Sequence, residues 1–70
     1  MEVLVFSTSV QSQDQVKRLA PRINSLVGRG LWNFALDDCD KIFRIVSDQV
    51  KAIHAIGILE ENGFACRELD

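Results

Sequence analysis

Trp32-Asn33-Phe34-Ala35-Leu36-Asp37-Asp38-Cys39-Asp40-Lys41-Ile42-Phe43-Arg44-Ile45-Val46 is the stretch whose reading decides the fold. Trp32, Phe34 and Leu36 alternate with Asn33, Ala35 and Asp37, which is the period of a strand with one apolar face. Asp38-Cys39-Asp40 reads as a tight turn. Beyond it the alternation resumes, with Phe43 and Ile45 directed to a core and Ile42, Arg44 and Val46 directed away. Two such strands joined by a short polar turn form a hairpin.

On the N-terminal side of the hairpin the period lengthens. Val16, Leu19, Ala20, Ile23, Leu26 and Val27 fall within an arc of about 120° when plotted at 100° per residue. Lys17, Arg18, Arg22 and Asn24 lie outside that arc. This is an amphipathic helix opening near Ser12. Pro21 lies within it, away from the stripe, and is expected to kink rather than break it because the stripe continues in phase to Val27. Gly28 and Gly30 close the helix. Ahead of it, Val3-Leu4-Val5-Phe6 is a short strand buried on at least one face that ends in the polar Ser7-Thr8-Ser9.

On the C-terminal side, Ser47-Asp48 is expected to cap a second helix running to about Glu61, with Val50, Ala52, Ile53, Ile56 and Leu59 facing the core. Asn62-Gly63 ends that helix, and residues 64–69 return as a fourth strand. The order β-α-β-β-α-β is the ferredoxin-like split βαβ pattern, an α+β sandwich. Right-handed crossovers put both helices on one face of a four-stranded antiparallel sheet of order 4-1-3-2.

A chain of 70 residues holds one domain, residues 1–70, and a chain this short buries only about 60% of its unfolded surface. Its apolar content of 47% is ample for one core. A net charge of −2 and a pI near 5.2 argue against nucleic acid as a partner. The cations do not cluster: Lys17, Arg18, Arg22 and Arg29 are interrupted by apolar positions. No apolar run approaches the roughly 18 residues of a spanning helix, so no membrane insertion is expected. Met1-Glu2 leads straight into a strand without a signal-peptide pattern, which makes the cytoplasm the expected location.

Together these features resemble the heavy-metal-associated domains of copper chaperones and metal-transport ATPases. The resemblance covers essentially the whole chain. It is carried by the 3–6 strand, the helix opening before Val16, Trp32-Asn33-Phe34-Ala35-Leu36-Asp37, and Glu61-Asn62-Gly63-Phe64. The family carries a Cys-x-x-Cys clamp for Cu(I) at the junction of first strand and first helix. Here, aligned on Val10 and Val16, those positions read Ser12 and Gln15. Soft ions select thiolates, so a hydroxyl and an amide are not expected to hold Cu(I), and two such donors alone do not hold Zn²⁺. Ser-x-x-Gln is instead a capping box, with Ser12 accepting from the Gln15 N–H and Gln15 reaching back to the Ser12 N–H. Asp14 adds a favourable charge against the helix dipole.

Other chemistry-bearing residues are few. Cys39 lies at the hairpin tip with Asp37, Asp38 and Asp40, a mixed set that could hold a divalent cation weakly but is far from an EF-hand. Cys66 takes an alternating position in the last strand and reads as a small core residue. Strand 4 and the hairpin flank strand 1, so Cys39 and Cys66 are too far apart for a disulfide. His54 shares the polar side of the second helix with Lys51 and Glu61 and reads as solvated. Trp32 reads as a core aromatic. Enzyme signatures are missing, and no catalytic residue is assigned.

Three functions follow as expectations. The first is a non-enzymatic, cofactor-free domain that binds an unknown protein partner or a second copy of itself. It would use the open sheet face (Ile42, Arg44, Val46), the edge strands and the polar loop 7–13. The second is weak Cu or Zn binding, or metal trafficking, through Cys39 and nearby carboxylates. The third is an anion or small-molecule sensor at the Ser12 helix start.

Overall fold

A computed structural model describes residues 2–28 and 30–69. Arg29, one of the scattered cations, lies outside the described residues, as do Met1 and Asp70. Six elements follow in the expected order: β1 (Val3–Thr8), α1 (Gln13–Val27), β2 (Trp32–Ala35), β3 (Ile42–Val46), α2 (Ala52–Glu61) and β4 (Cys66–Glu68). The strands form one antiparallel sheet of order β2-β3-β1-β4, the expected order read from its other edge.

Register translates the alternation of 32–46 into two faces. Phe34 pairs with Phe43, and Phe43 in turn with Phe6; Trp32 pairs with Ile45, and Ile45 with Leu4. These side chains share the inner face, where Phe6, Phe43 and Ile45 join Leu19 and Ile23 of α1 and Ala55 and Leu59 of α2 in one buried cluster. Both helices therefore cover the same side of the sheet. Phe43 is the hub of its aromatics. It stacks on Phe34 at 4.5 Å between ring centroids, tilts against Phe6 at 5.6 Å and meets the edge of Trp32 at 6.3 Å. Trp32 packs on the core as expected, and its Nε1–H donates to Asn24 Oδ1 at 2.7 Å. The half-buried indole N–H thus finds its acceptor on α1.

Helix α1 runs unbroken through the exposed Pro21 to Val27. It stops at Gly28, whose φ of +100° is a conformation that a side chain strains to adopt, and whose N–H donates to the Asn24 carbonyl at 3.0 Å.

Helix α2 departs from the reading at its start. Its N-cap is Lys51, which makes no side-chain capping bond. Ser47 Oγ accepts from the N–H groups of Gln49 (3.1 Å) and Val50 (3.3 Å), closing a turn that ends before the helix begins. Val50 is buried, but ahead of the helix. Starting at Ala52, the inward stripe is Ala52, Ala55, Ile56 and Leu59, which places Ile53 about 100° around from Ala52. Ile53 is 70% exposed, so it is not a core residue.

The fourth strand is also shorter than residues 64–69. Phe64 N–H donates to the Leu59 carbonyl (2.9 Å) and Gly63 N–H to the Glu60 carbonyl (3.0 Å). With Gly63 at φ +86° this is a Schellman closure, so Phe64 belongs to the end of the helix. Among the described residues no helix is long and apolar enough to cross a membrane.

Candidate functional site

The loop from β1 to α1 is held from three sides. Val10 is fully buried. Thr8 Oγ1 donates to the Lys41 carbonyl (2.6 Å) and accepts from the Val10 N–H (3.3 Å). Ser9 N–H donates to the Ala65 carbonyl (3.1 Å), and Ser9 Oγ accepts from the Ala65 N–H (2.8 Å). The hairpin tip and the segment entering β4 therefore lie at the same end as the start of α1, as the topology requires.

At that start, Ser12 is the N-cap in extended geometry and its Oγ accepts from the Gln15 N–H at 3.3 Å. The return arm of the box differs from the expectation. Gln15 Oε1 accepts from the Gln11 N–H at 2.7 Å, one residue earlier than the Ser12 N–H. A Gln side chain is long enough to pass the cap residue and tie down the one before it. The hydroxyl and the amide oxygen are thus both engaged with backbone N–H groups. As hard, neutral, already committed donors, they do not fit a Cu(I) ion. Ser12→Ala is expected to lower stability by about 0.5–2 kcal/mol, read as a shift of the denaturant midpoint. An unchanged midpoint would show that the cap carries nothing.

The acidic turn is exposed. Asp38, Cys39 and Asp40 place one donor atom each within 4.8 Å of one another; Asp37 is outside that group. Much of the arrangement is accounted for by the turn itself. Asp38 Oδ1 accepts from the Asp40 N–H (2.9 Å), and the Asp38 carbonyl accepts from the Lys41 N–H (3.0 Å). Lys41 sits at φ +49°, and its Nζ donates to the Leu36 carbonyl at 2.8 Å. The Asp40 carbonyl accepts from Thr8 N–H and Ser7 Oγ.

Both cysteines are free. Cys66 stands opposite Thr8, packed against the core as the alternation implies. Burial, and secondarily the charge of Glu60, pushes its thiol from the ordinary 9.0 up to about 11. The native state then holds this proton more tightly than the unfolded chain does. Its contribution to stability is complete below pH 9.0 and is lost as pH rises towards about 11. Denaturation midpoints across that window should fall for the parent chain and fall less for Cys66→Ala.

His54 is exposed, as expected. It borders a groove of about 480 Å³ between α1 and α2. Arg22 and Glu61 bridge the two helices there at 2.6 Å, an exposed pair worth little to stability.

The remaining candidate is the outer sheet face. Ile42, Arg44 and Val46 alternate with the buried Phe43 and Ile45, as read from the sequence. Across from them, Val3 pairs with Val46, Val5 with Arg44 and Ser7 with Ile42. Val3 is 54% exposed and Arg44 is exposed. Arg67, opposite Ser7 in the register of β4, belongs to the same face and was not singled out from the sequence. The signal was available, because placing Cys66 inward places Arg67 outward.

Fold and surface together define a ferredoxin-like α+β sandwich with one helix-covered and one helix-free sheet face. Comparison with protein-family models, with curated proteins and with solved structures finds no match to the chain.

Proposed function

We propose that this chain is a non-enzymatic domain of the heavy-metal-associated type, with its clamp positions converted to a helix cap, that works by docking a protein on its outer sheet face. The observation that carries the reading is that face itself. Val3, Val5, Ile42 and Val46 make an aliphatic surface around Arg44, on the side of the sheet away from both helices. Apolar side chains grouped at such a surface mark interaction sites more often than apolar residues scattered singly. A photo-crosslinking side chain at Val46 is the test. It should give a discrete protein adduct in the native host, absent when the same group replaces Lys17 on the exposed side of α1. Equal labelling from both positions would remove the reading.

The competing reading, metal handling at the hairpin tip, is supported by the grouping of Asp38, Cys39 and Asp40. Against it stands the engagement of Asp38 with the Asp40 N–H. Native mass spectrometry of the reduced chain with Cu(I) and Zn²⁺ separates the two. Stoichiometric binding that vanishes in Cys39→Ser would establish the metal reading, and no binding would leave the docking surface.

A further inference from the structure

We propose that the outer sheet face receives an acidic segment bearing aliphatic side chains, whose carboxylates pair with Arg44 and Arg67. The inference rests on the reading of this face as a docking surface and names what docks there. Its basis is the distribution of charge over the register positions. Arg44 lies opposite Val5 on one side and Asn33 on the other, and Arg67 lies opposite Ser7. No carboxylate takes an outward position in the four strands: Glu68, the acidic residue of β4, stands opposite the inward Phe6. Asp37 and Asp40 lie beyond the hairpin ends of β2 and β3, and Asp48 beyond the other end of β3. In a chain of net charge −2, the two charges on this face are both positive, both arginine and both exposed.

The spacing suits an extended or helical segment laid across the sheet. Arg44 and Arg67 are separated by two strand spacings and two residues along the strands, about 12 Å between Cα atoms. Val5 lies between them, with Val3, Ile42 and Val46 around it. A guanidinium fork matches a carboxylate in two parallel hydrogen bonds, and its alkyl stem lies along apolar surface, so each arginine serves both halves of such a partner. A second copy of the chain is the poorer occupant. A closed two-fold pair, face to face, would set this cationic surface against its own equivalent.

The test uses the ¹⁵N-labelled chain and three synthetic peptides of equal length, in which Leu and Ile are interspersed with Glu, with Gln or with Lys. The Glu peptide should shift the amides of Val5, Ile42, Arg44, Val46 and Arg67. The double variant Arg44→Glu/Arg67→Glu should bind it at least about tenfold more weakly and should take up the Lys peptide on the same face. That exchange of preference is a result that simple loss of structure cannot produce. Equal binding of the Gln peptide would leave a docking surface but overturn its acidic partner. Failure of every peptide to shift this face would overturn both readings. Concentration-dependent shifts of the same amides without peptide would assign the face to a second copy instead.

Discussion

Replacing Ser12 and Gln15 together with cysteine is expected to create a stoichiometric Cu(I) site at the start of α1. Ser12 is the N-cap and Gln15 lies in the first turn of α1, so the two side chains issue from one helix start. The loop ahead of them is fastened by the buried Val10 and by the bonds of Thr8 and Ser9. The bonds of Thr8 and Ser9 do not involve residues 12 and 15, so they persist when the Gln15 bond to the Gln11 N–H is lost. Two thiols there would sit at the positive end of the helix dipole, which favours thiolates, and thiolates select Cu(I). The cost is the Ser12 cap, about 1 kcal/mol. Native mass spectrometry of the reduced double variant should show one added copper, and the parent none. A folded double variant that stays metal-free would show that the likeness to metal-clamp domains ends with the fold.

The second large effect is on stability. Phe43→Ala should cost about 3–5 kcal/mol, because truncating a buried aromatic loses its transfer free energy and leaves a cavity. At about 0.05–0.15 kcal/mol per residue, a domain of this size has roughly 3.5–10 kcal/mol in total. Phe43 is 1% exposed, lies in a strand paired on both sides, and touches Phe6, Trp32 and Phe34 through its ring. Denaturation followed through the fluorescence of Trp32, which abuts Phe43, should show most of the cooperative transition lost. Ile53→Ser is the control: at 70% exposure it should stay within about 0.5 kcal/mol of the parent. A Phe43→Ala midpoint equal to the control would overturn this account of the core.

What could be read in advance follows from how local each signal is. A strand's period of two assigns faces without reference to partners, which is why Phe43, Ile45, Arg44 and Val46 fell where the structure has them. The α1 stripe was legible in its centre and at both ends, since Leu19 and Ile23 are buried and Val16 and Val27 pack beside them, whereas Ala20 and Leu26 are half-buried outside that cluster. Element starts were harder. A serine before an apolar run signals a cap or a turn alike, and Ser47 closes a turn. Ile53 lies at the margin of the stripe set by Ala52, Ala55, Ile56 and Leu59, and it is exposed. Likewise, Ser-x-x-Gln indicates that the side chains serve the helix start, but which N–H the longer one reaches depends on the loop path. At the candidate surface, Arg44 was visible from its own strand. Arg67 was legible in the same way, one residue after the inward Cys66, and its place opposite Ser7 of β1 sets it on the outer face.

The position of β1 has a consequence for how the sheet comes into being. It precedes the other three strands of the sheet in the chain, yet both its neighbours, β3 and β4, come later, β4 after β3. Until β3 is made β1 has both edges bare, and loop-closure entropy opposes the pairings that would cover them. When the hairpin arrives, it covers one side through five register pairs. The other stays open until three residues of β4 seal it, with the Ser9–Ala65 bonds acting as the latch. The shortest strand is thus the one that closes the last bare edge of β1.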